Sequence, residues 1–185
     1  FTTGHTGFGM PFSSWPDRSD VPRSAARPLR YMERYVTIAQ GEVFYITEAL
    51  ASLEGLEKGP AGNTALTAAF SLAQEMDKDQ MILVQETEYT GAGKHIQPQL
   101  SFARDNGIEI RFGDPAEEIP GKTIILPAHP SLIKARDVDL DHMRKSLIKT
   151  AVNTYNVTPT KEDIAFLAEE TRSDIEFVKG VLESL

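Results

Sequence analysis

The chain has 185 residues, 41% hydrophobic and 25% charged, with 19 basic against 27 acidic side chains and a formal net charge of −8. That balance is too apolar for disorder and too acidic for a nucleic-acid backbone or an anionic membrane to be the main partner. Cysteine is absent, which removes disulfides and zinc–thiolate sites and fits a cytoplasmic location, and no apolar run approaches the roughly 20 residues that span a bilayer.

The chain opens at Phe1 on loop-like sequence, so it reads as a piece of something longer. Residues 1–27 form a leader without periodicity. Within it, "TTGHTGFGMPF" resembles a phosphate cradle across Gly4–Gly9 but lacks the Gly-Lys-Ser/Thr of a Walker loop; a flexible leader is the plainer reading. Pro28 suits the first position of a helix through "LRYMERYVTIA". Gly41 separates this from "EVFYITEALASLEGL", where Phe44, Ile46, Ala49, Leu50 and Leu53 recur at helical spacing.

"KGPAGNTALTAAF" then joins a Gly-Pro-Ala-Gly turn to a helix of small residues, predicted to run through "NTALTAAFSLAQEMDKD". Small residues at a helix start mean that two backbones approach closely or that a ligand sits there. Unpaired N–H groups at a helix N-terminus attract anions. Gly59, Ala61, Gly62, Asn63 and Thr64 are therefore candidate ligand-side residues. The competing account makes Asn63 an N-cap and the alanines packing residues.

"QMILVQE" (80–86) is a short apolar run, as expected of a strand buried on both faces. The polar segment "ETEYTGAGKH" follows it, at the strand end where open α/β sheets bind ligands. Glu88 could act as acid or base there. Tyr89, Thr90 and Gly91 would line the loop, and Lys94 with His95 could meet a phosphate or carboxylate. A surface loop explains the same residues.

"QPQLSFARDNG" predicts a helix closed by Asn106-Gly107, and "IEIRF" (108–112) and "KTIILP" (122–127) predict two more strands. The succession implies an α/β domain with a partial parallel sheet flanked by helices, over residues 1–136. From Asp139 the strands stop, and residues 137–185 predict a small three-helix appendage. Thr160 with Asp163 resembles a capping box, and Ser173 with Glu176 starts the last helix in the same way. Ile164, Leu167, Ile175, Phe177, Val178, Val181 and Leu182 form its apolar stripe. The four histidines are scattered, none at i+3 or i+4 from another, so no metal site is predicted.

"GEVFYITEALASLEGLEKGPAGNTALTAAFSLAQE" followed by "QMILVQETEYTGAGKH" resembles the tryptophan-synthase-like, fold type II pyridoxal-phosphate enzymes. In that family a Pro/Ser/Gly-rich turn before a small-residue helix lies near the pyridine nitrogen of the cofactor, and a Thr-Gly-x-Gly-Lys-like segment ends the next strand. The resemblance implies pyridoxal 5'-phosphate as cofactor, with Gly59, Ala61–Thr64, Glu88–Gly91 and Lys94 on the cofactor side. Within the family it implies cleavage of 2-amino-4-oxopentanoate with coenzyme A into acetyl-CoA and alanine, a step of ornithine breakdown. A small α subunit and a homo-oligomer are the implied partners.

This chain departs from the family in carrying Pro60-Ala61-Gly62 where many members place a serine or threonine against the ring nitrogen. The Schiff-base lysine of the family has no counterpart here, so neither Lys94 nor Lys122 is assigned that role and the piece alone is expected to be inactive. The alternatives are another pyridoxal-phosphate lyase of the threonine synthase or cysteine synthase type, or a non-catalytic α/β scaffold with a helical partner-binding tail. The tail resembles UBA-like three-helix modules; a cap on the main domain or a subunit contact is the simpler role.

Overall fold

Residues 29, 33–85, 95–155 and 158–185 are described by the computed structural model, within which the chain divides into two compact units. In the first, β1 (Val36–Thr37) precedes α1 (Gln40–Glu54), α2 (Asn63–Ala73), α3 (Gln97–Asp105), β2 (Glu109–Gly113) and β3 (Thr123–Pro127). β2 and β3 pair in parallel, with Ile110 opposite Ile124 and Phe112 opposite Leu126. Phe44 of α1 joins Ile96, Leu100, Ile124 and Leu126 in the core, with Ala103, Ile108 and Ile110 against it. The short β1 pairs with β4 (Arg136–Asp137).

The start of α1 is the most tightly specified point of this unit. A Cβ on Gly41 would lie 1.9 Å from the Ile125 carbonyl oxygen, so only glycine lets the helix end meet β3 there. Glu118 pins the same junction. One carboxylate oxygen accepts from the Gln40 N–H at 2.8 Å, and the other accepts from Gly41 at 3.1 Å and Ile125 at 2.9 Å. Glu42, 0% exposed, reaches back to the Ala39 N–H at 2.6 Å and accepts from Lys134 N–H at 2.9 Å. The Arg136 guanidinium grips it with two bonds, at 3.1 and 3.4 Å. Two carboxylates at a helix N-terminus also complement the positive end of its dipole.

The second unit holds α4 (Leu140–Tyr155), α5 (Lys161–Thr171) and α6 (Ile175–Glu183). Ile148, Leu167, Ala168, Val178 and Val181 form its core, extended by Ile164, Phe177 and Leu182. Leu29, Met143 and Leu147 make a second cluster. Thr160 and Asp163 form the expected capping box.

Several expectations fail for identifiable reasons. The helix predicted from Pro28 does not include residues 33–39, which are non-helical, with Val36–Thr37 a strand. Val36, Thr37 and Ile38 are β-branched and favour extended backbone. Gly41 lies inside α1 rather than between two helices, because close packing demands it. The helix predicted over 63–79 stops at Ala73; a turn follows in which the Asp77 N–H donates to the Gln80 side chain. Residues 80–85 are neither strand nor buried: Met81 is 93% and Leu83 99% exposed. A strand needs neighbours to take up its hydrogen bonds, and among the described residues 80–85 have no strand partner. Asp174, not Ser173, caps α6, accepting from the Phe177 N–H at 2.6 Å, and Ile175 is exposed rather than core.

Candidate functional site

The turn before α2 is as the sequence implies, and it is buried. Gly59, Pro60, Gly62 and Asn63 have almost no accessible surface, and Thr47 of α1 and Thr67 of α2 are buried beside them. Gly62 is the N-cap, in right-handed helical geometry at φ −62°, so Asn63 is the first helical residue and not the cap.

Two of the backbone donors at this turn are engaged within it. The Asn63 N–H donates to the Gly59 carbonyl at 3.2 Å and the Thr64 N–H to Ala61 at 3.4 Å. Those two donors are taken by the turn and cannot also hold a phosphate. What the corner offers instead is acceptors. Thr64 Oγ donates to the Pro60 carbonyl at 3.4 Å and Thr67 Oγ to the Asn63 carbonyl at 2.7 Å. Each hydroxyl proton goes to backbone, leaving oxygen lone pairs behind.

Asn63 is the telling residue. Its Nδ2 donates to Thr47 Oγ at 3.1 Å and to the Lys58 carbonyl at 3.4 Å. Thr47 spends its own proton on the Val43 carbonyl at 2.8 Å, so its oxygen can only accept. Both neighbours require the NH2 group, which fixes the amide orientation. Oδ1 is therefore an acceptor, fully buried, with no hydrogen-bond partner among the described residues. Such an orphan costs roughly 1–3 kcal/mol.

Glu88, Tyr89, Thr90, Gly91 and Lys94 lie outside the described residues, as does Gly4–Gly9. His95, next in sequence, is exposed. A separate groove of about 590 Å³ lies between α3 and the β2–β3 pair, lined by Pro98, Phe102, Ala103, Ile108 and Ile124 among others. Nothing from Gly59–Thr64 lines it. The described residues contain no metal-binding cluster and no helix long and apolar enough to cross a membrane.

Sequence reasoning overlooked Glu42, Glu118 and Arg136. Glu42 sits three residues after Ala39, but alanine offers no capping oxygen and so gave no reciprocal-cap signal; Glu118 acts across 77 and 78 residues of sequence and left none either. Each oxygen of both carboxylates accepts from a fixed donor, which makes them structural anchors rather than available bases.

No family model and no solved structure matches the chain. Among curated proteins it is 72% identical over 186 residues to a 2-amino-4-ketopentanoate thiolase beta subunit of Acetoanaerobium sticklandii. It is 59% identical, also over 186 residues, to one from an unknown prokaryotic organism. In both cases the whole chain is aligned, against 40% and 39% of the relative, so the chain spans about two-fifths of the length of the curated relatives it matches. Over its entire length the chain is therefore a homologue of part of proteins named 2-amino-4-ketopentanoate thiolase beta subunit.

Proposed function

We propose that this chain is part of the β subunit of a pyridoxal-phosphate-dependent, fold type II thiolase acting on 2-amino-4-oxopentanoate. The observation that carries the reading is 72% identity along the whole chain to a protein bearing that thiolase name. The reaction breaks the bond between C3 and C4. The acetyl group passes to the sulfur of coenzyme A, and C3 takes up a proton to become the methyl group of alanine. Bound cofactor supplies a conjugated ring that draws electron density from the breaking bond.

The corner before α2 suits one end of that ring. A protonated ring nitrogen is a donor, and Asn63 Oδ1 is an acceptor held in place by Thr47 and Lys58. The hydroxyl that many family members present at this point is replaced here by an amide carbonyl. With the Asn63 and Thr64 N–H groups engaged, those two donors are not the ones that hold the phosphate. α1 and α2 form a wall that keeps water from the ring. A small α subunit completes the enzyme, in keeping with the "beta subunit" in the names of the relatives.

The test uses the full-length protein with its partner subunit. Asn63→Ala should lower the visible absorbance of bound cofactor and reduce cofactor affinity about tenfold, the worth of one hydrogen bond of about 1.4 kcal/mol. Thr64→Ala should have a smaller effect. Full occupancy and unchanged turnover in both variants would remove this corner from the site. Product that forms without coenzyme A would favour a lyase of the threonine synthase or cysteine synthase type. A non-catalytic scaffold is the second reading, favoured by exposed Phe166 and Ile175 in the UBA-like tail; it expects no cofactor absorbance at all.

A further inference from the structure

Of the chain's four asparagines, Asn63, Asn106, Asn153 and Asn156, only Asn106 precedes a glycine. The pair ends α3 in a glycine-capped turn. Gly107 is left-handed at φ 79°. Its N–H donates to the Arg104 carbonyl at 3.0 Å and the Ile108 N–H donates to Ala103 at 2.9 Å, the two bonds of a Schellman cap. Asn106 is exposed, with ψ 17°, and its Nδ2 donates to the Phe102 carbonyl at 2.8 Å. Glycine has no Cβ to shield its own nitrogen from the preceding side chain. The space beside Gly107 is open, since a Cβ built there would meet no atom within 4 Å. Asn106 also lines the groove between α3 and the β2–β3 pair, together with Phe102, Ile108 and Glu118.

We infer that Asn106 is a site of spontaneous deamidation, held in check by the cap to which it belongs. The Gly107 nitrogen gives its proton to hydroxide and bonds to Asn106 Cγ; the Cγ–Nδ2 bond breaks and ammonia leaves. Water then opens the cyclic imide at either carbonyl, giving aspartate or isoaspartate, with no oxidation or reduction. The folded geometry opposes ring closure. The near-helical ψ turns the Gly107 nitrogen away from Cγ, its proton is bound to Arg104, and the departing amide is bound to Phe102. Closure therefore waits for the end of α3 to open, a local event that needs no global unfolding. The product does not restore the cap. A carboxylate has no proton to give the Phe102 carbonyl, and it sits at the negative end of the helix dipole. It also adds negative charge to a groove that Glu118 already lines. Isoaspartate lengthens the main chain by a carbon atom between α3 and β2, which upsets the spacing of the cap bonds. The inference rests on the geometry of α3 and is independent of the cofactor and of the reaction.

Timed peptide mapping of the full-length protein decides it. At mildly alkaline pH the native protein should convert amide to acid at Asn106 before Asn63, Asn153 or Asn156, as a mixture of aspartyl and isoaspartyl peptides. Unfolded in urea, the same site should convert at least about tenfold faster, because the cap no longer protects it. Ile108→Ala loosens the packing behind the cap and should move the native rate toward the urea rate, leaving the urea rate itself unchanged. Asn106→Gln should show no conversion at this position over the same period. Converted protein, separated by its added negative charge, should exchange the amide hydrogens of residues 102–108 faster than unconverted protein. An Asn106 that stays intact in the native protein, conversion first at one of the other three asparagines, or equal native and urea rates would each overturn the inference. So would hydrogen exchange that conversion leaves unaltered.

Discussion

Gly41 and Glu118 show how much of this fold depends on single atoms. Replacing Gly41 with alanine places a methyl carbon inside the contact distance of the Ile125 carbonyl, and neither partner can move without shifting a helix or a strand. Gly41→Ala should therefore destabilise the first unit by about 3 kcal/mol, at the upper end of the range for overpacking, as read from urea unfolding. Glu118→Gln has nearly the same shape but turns one acceptor oxygen into an NH2 group, facing a backbone N–H. It should cost about 2 kcal/mol, the worth of a hydrogen bond to a charged group, and an unchanged unfolding midpoint would show that the carboxylate is not holding α1. Composition and spacing revealed neither role. A glycine near a helix start reads as a break, and a glutamate in a loop reads as solvated; only the fold brings both to Ile125. Asn63 is the opposite case, because its position before a small-residue helix drew attention to it at once. The fold adds what spacing could not: the turn takes up the Asn63 and Thr64 N–H groups, and the Asn63 side chain is left with an unpaired acceptor among the described residues.

At the scale of elements, legibility followed how local the determinants were. α5 could be read because its cap and apolar stripe lie within a few residues of each other, and Thr160 with Asp163 formed as expected, whereas the cap of α6 fell one residue later than expected, at Asp174. The run 80–86 misled because a strand is defined by its neighbours, and the β-branched stretch before α1 misled because Pro28 gave a stronger local start signal than Val36 and Thr37 gave against it. The capping box carries a pH dependence of known sign. The Asp163 carboxyl is held below its usual range, chiefly by the Thr160 backbone N–H and then by the Thr160 hydroxyl. A depressed folded-state pKa means the contribution is fully present above the unfolded value near 4 and is lost as pH falls through the folded value. Helical content should thus stay constant from neutral pH to about 5 and then decline. The Arg34 guanidinium lowers Asp137 in the same direction, so Asp163→Asn should shrink the acid transition without removing it. Thr160→Ala should cost about 1 kcal/mol at neutral pH, and circular dichroism with thermal melts checks both.

For the whole molecule, the exposed apolar surface and the net charge pull against each other. Leu53, Leu56, Met81, Leu83, Phe102, Phe112 and Ile119 of the first unit are all largely exposed. Single exposed apolar residues are ordinary, but so many in a unit of about 100 residues are a liability for association. Mutual repulsion from a net charge of −8 opposes that association, and salt screens it, the Debye length falling from about 14 to about 4 Å between roughly 0.05 and 0.5 M. The 185-residue chain expressed alone should therefore bind a hydrophobic dye strongly and scatter more light as salt rises over that range. If the rest of a longer protein covers part of this surface, the full-length protein should do neither. The mutations separate the contributions: Met81→Lys with Leu83→Glu in the isolated chain should reduce salt-dependent scattering several-fold at unchanged net charge, while Phe102→Ser should have a smaller effect. Equal dye binding by the isolated chain and the full-length protein would mean that these residues stay exposed in the complete molecule.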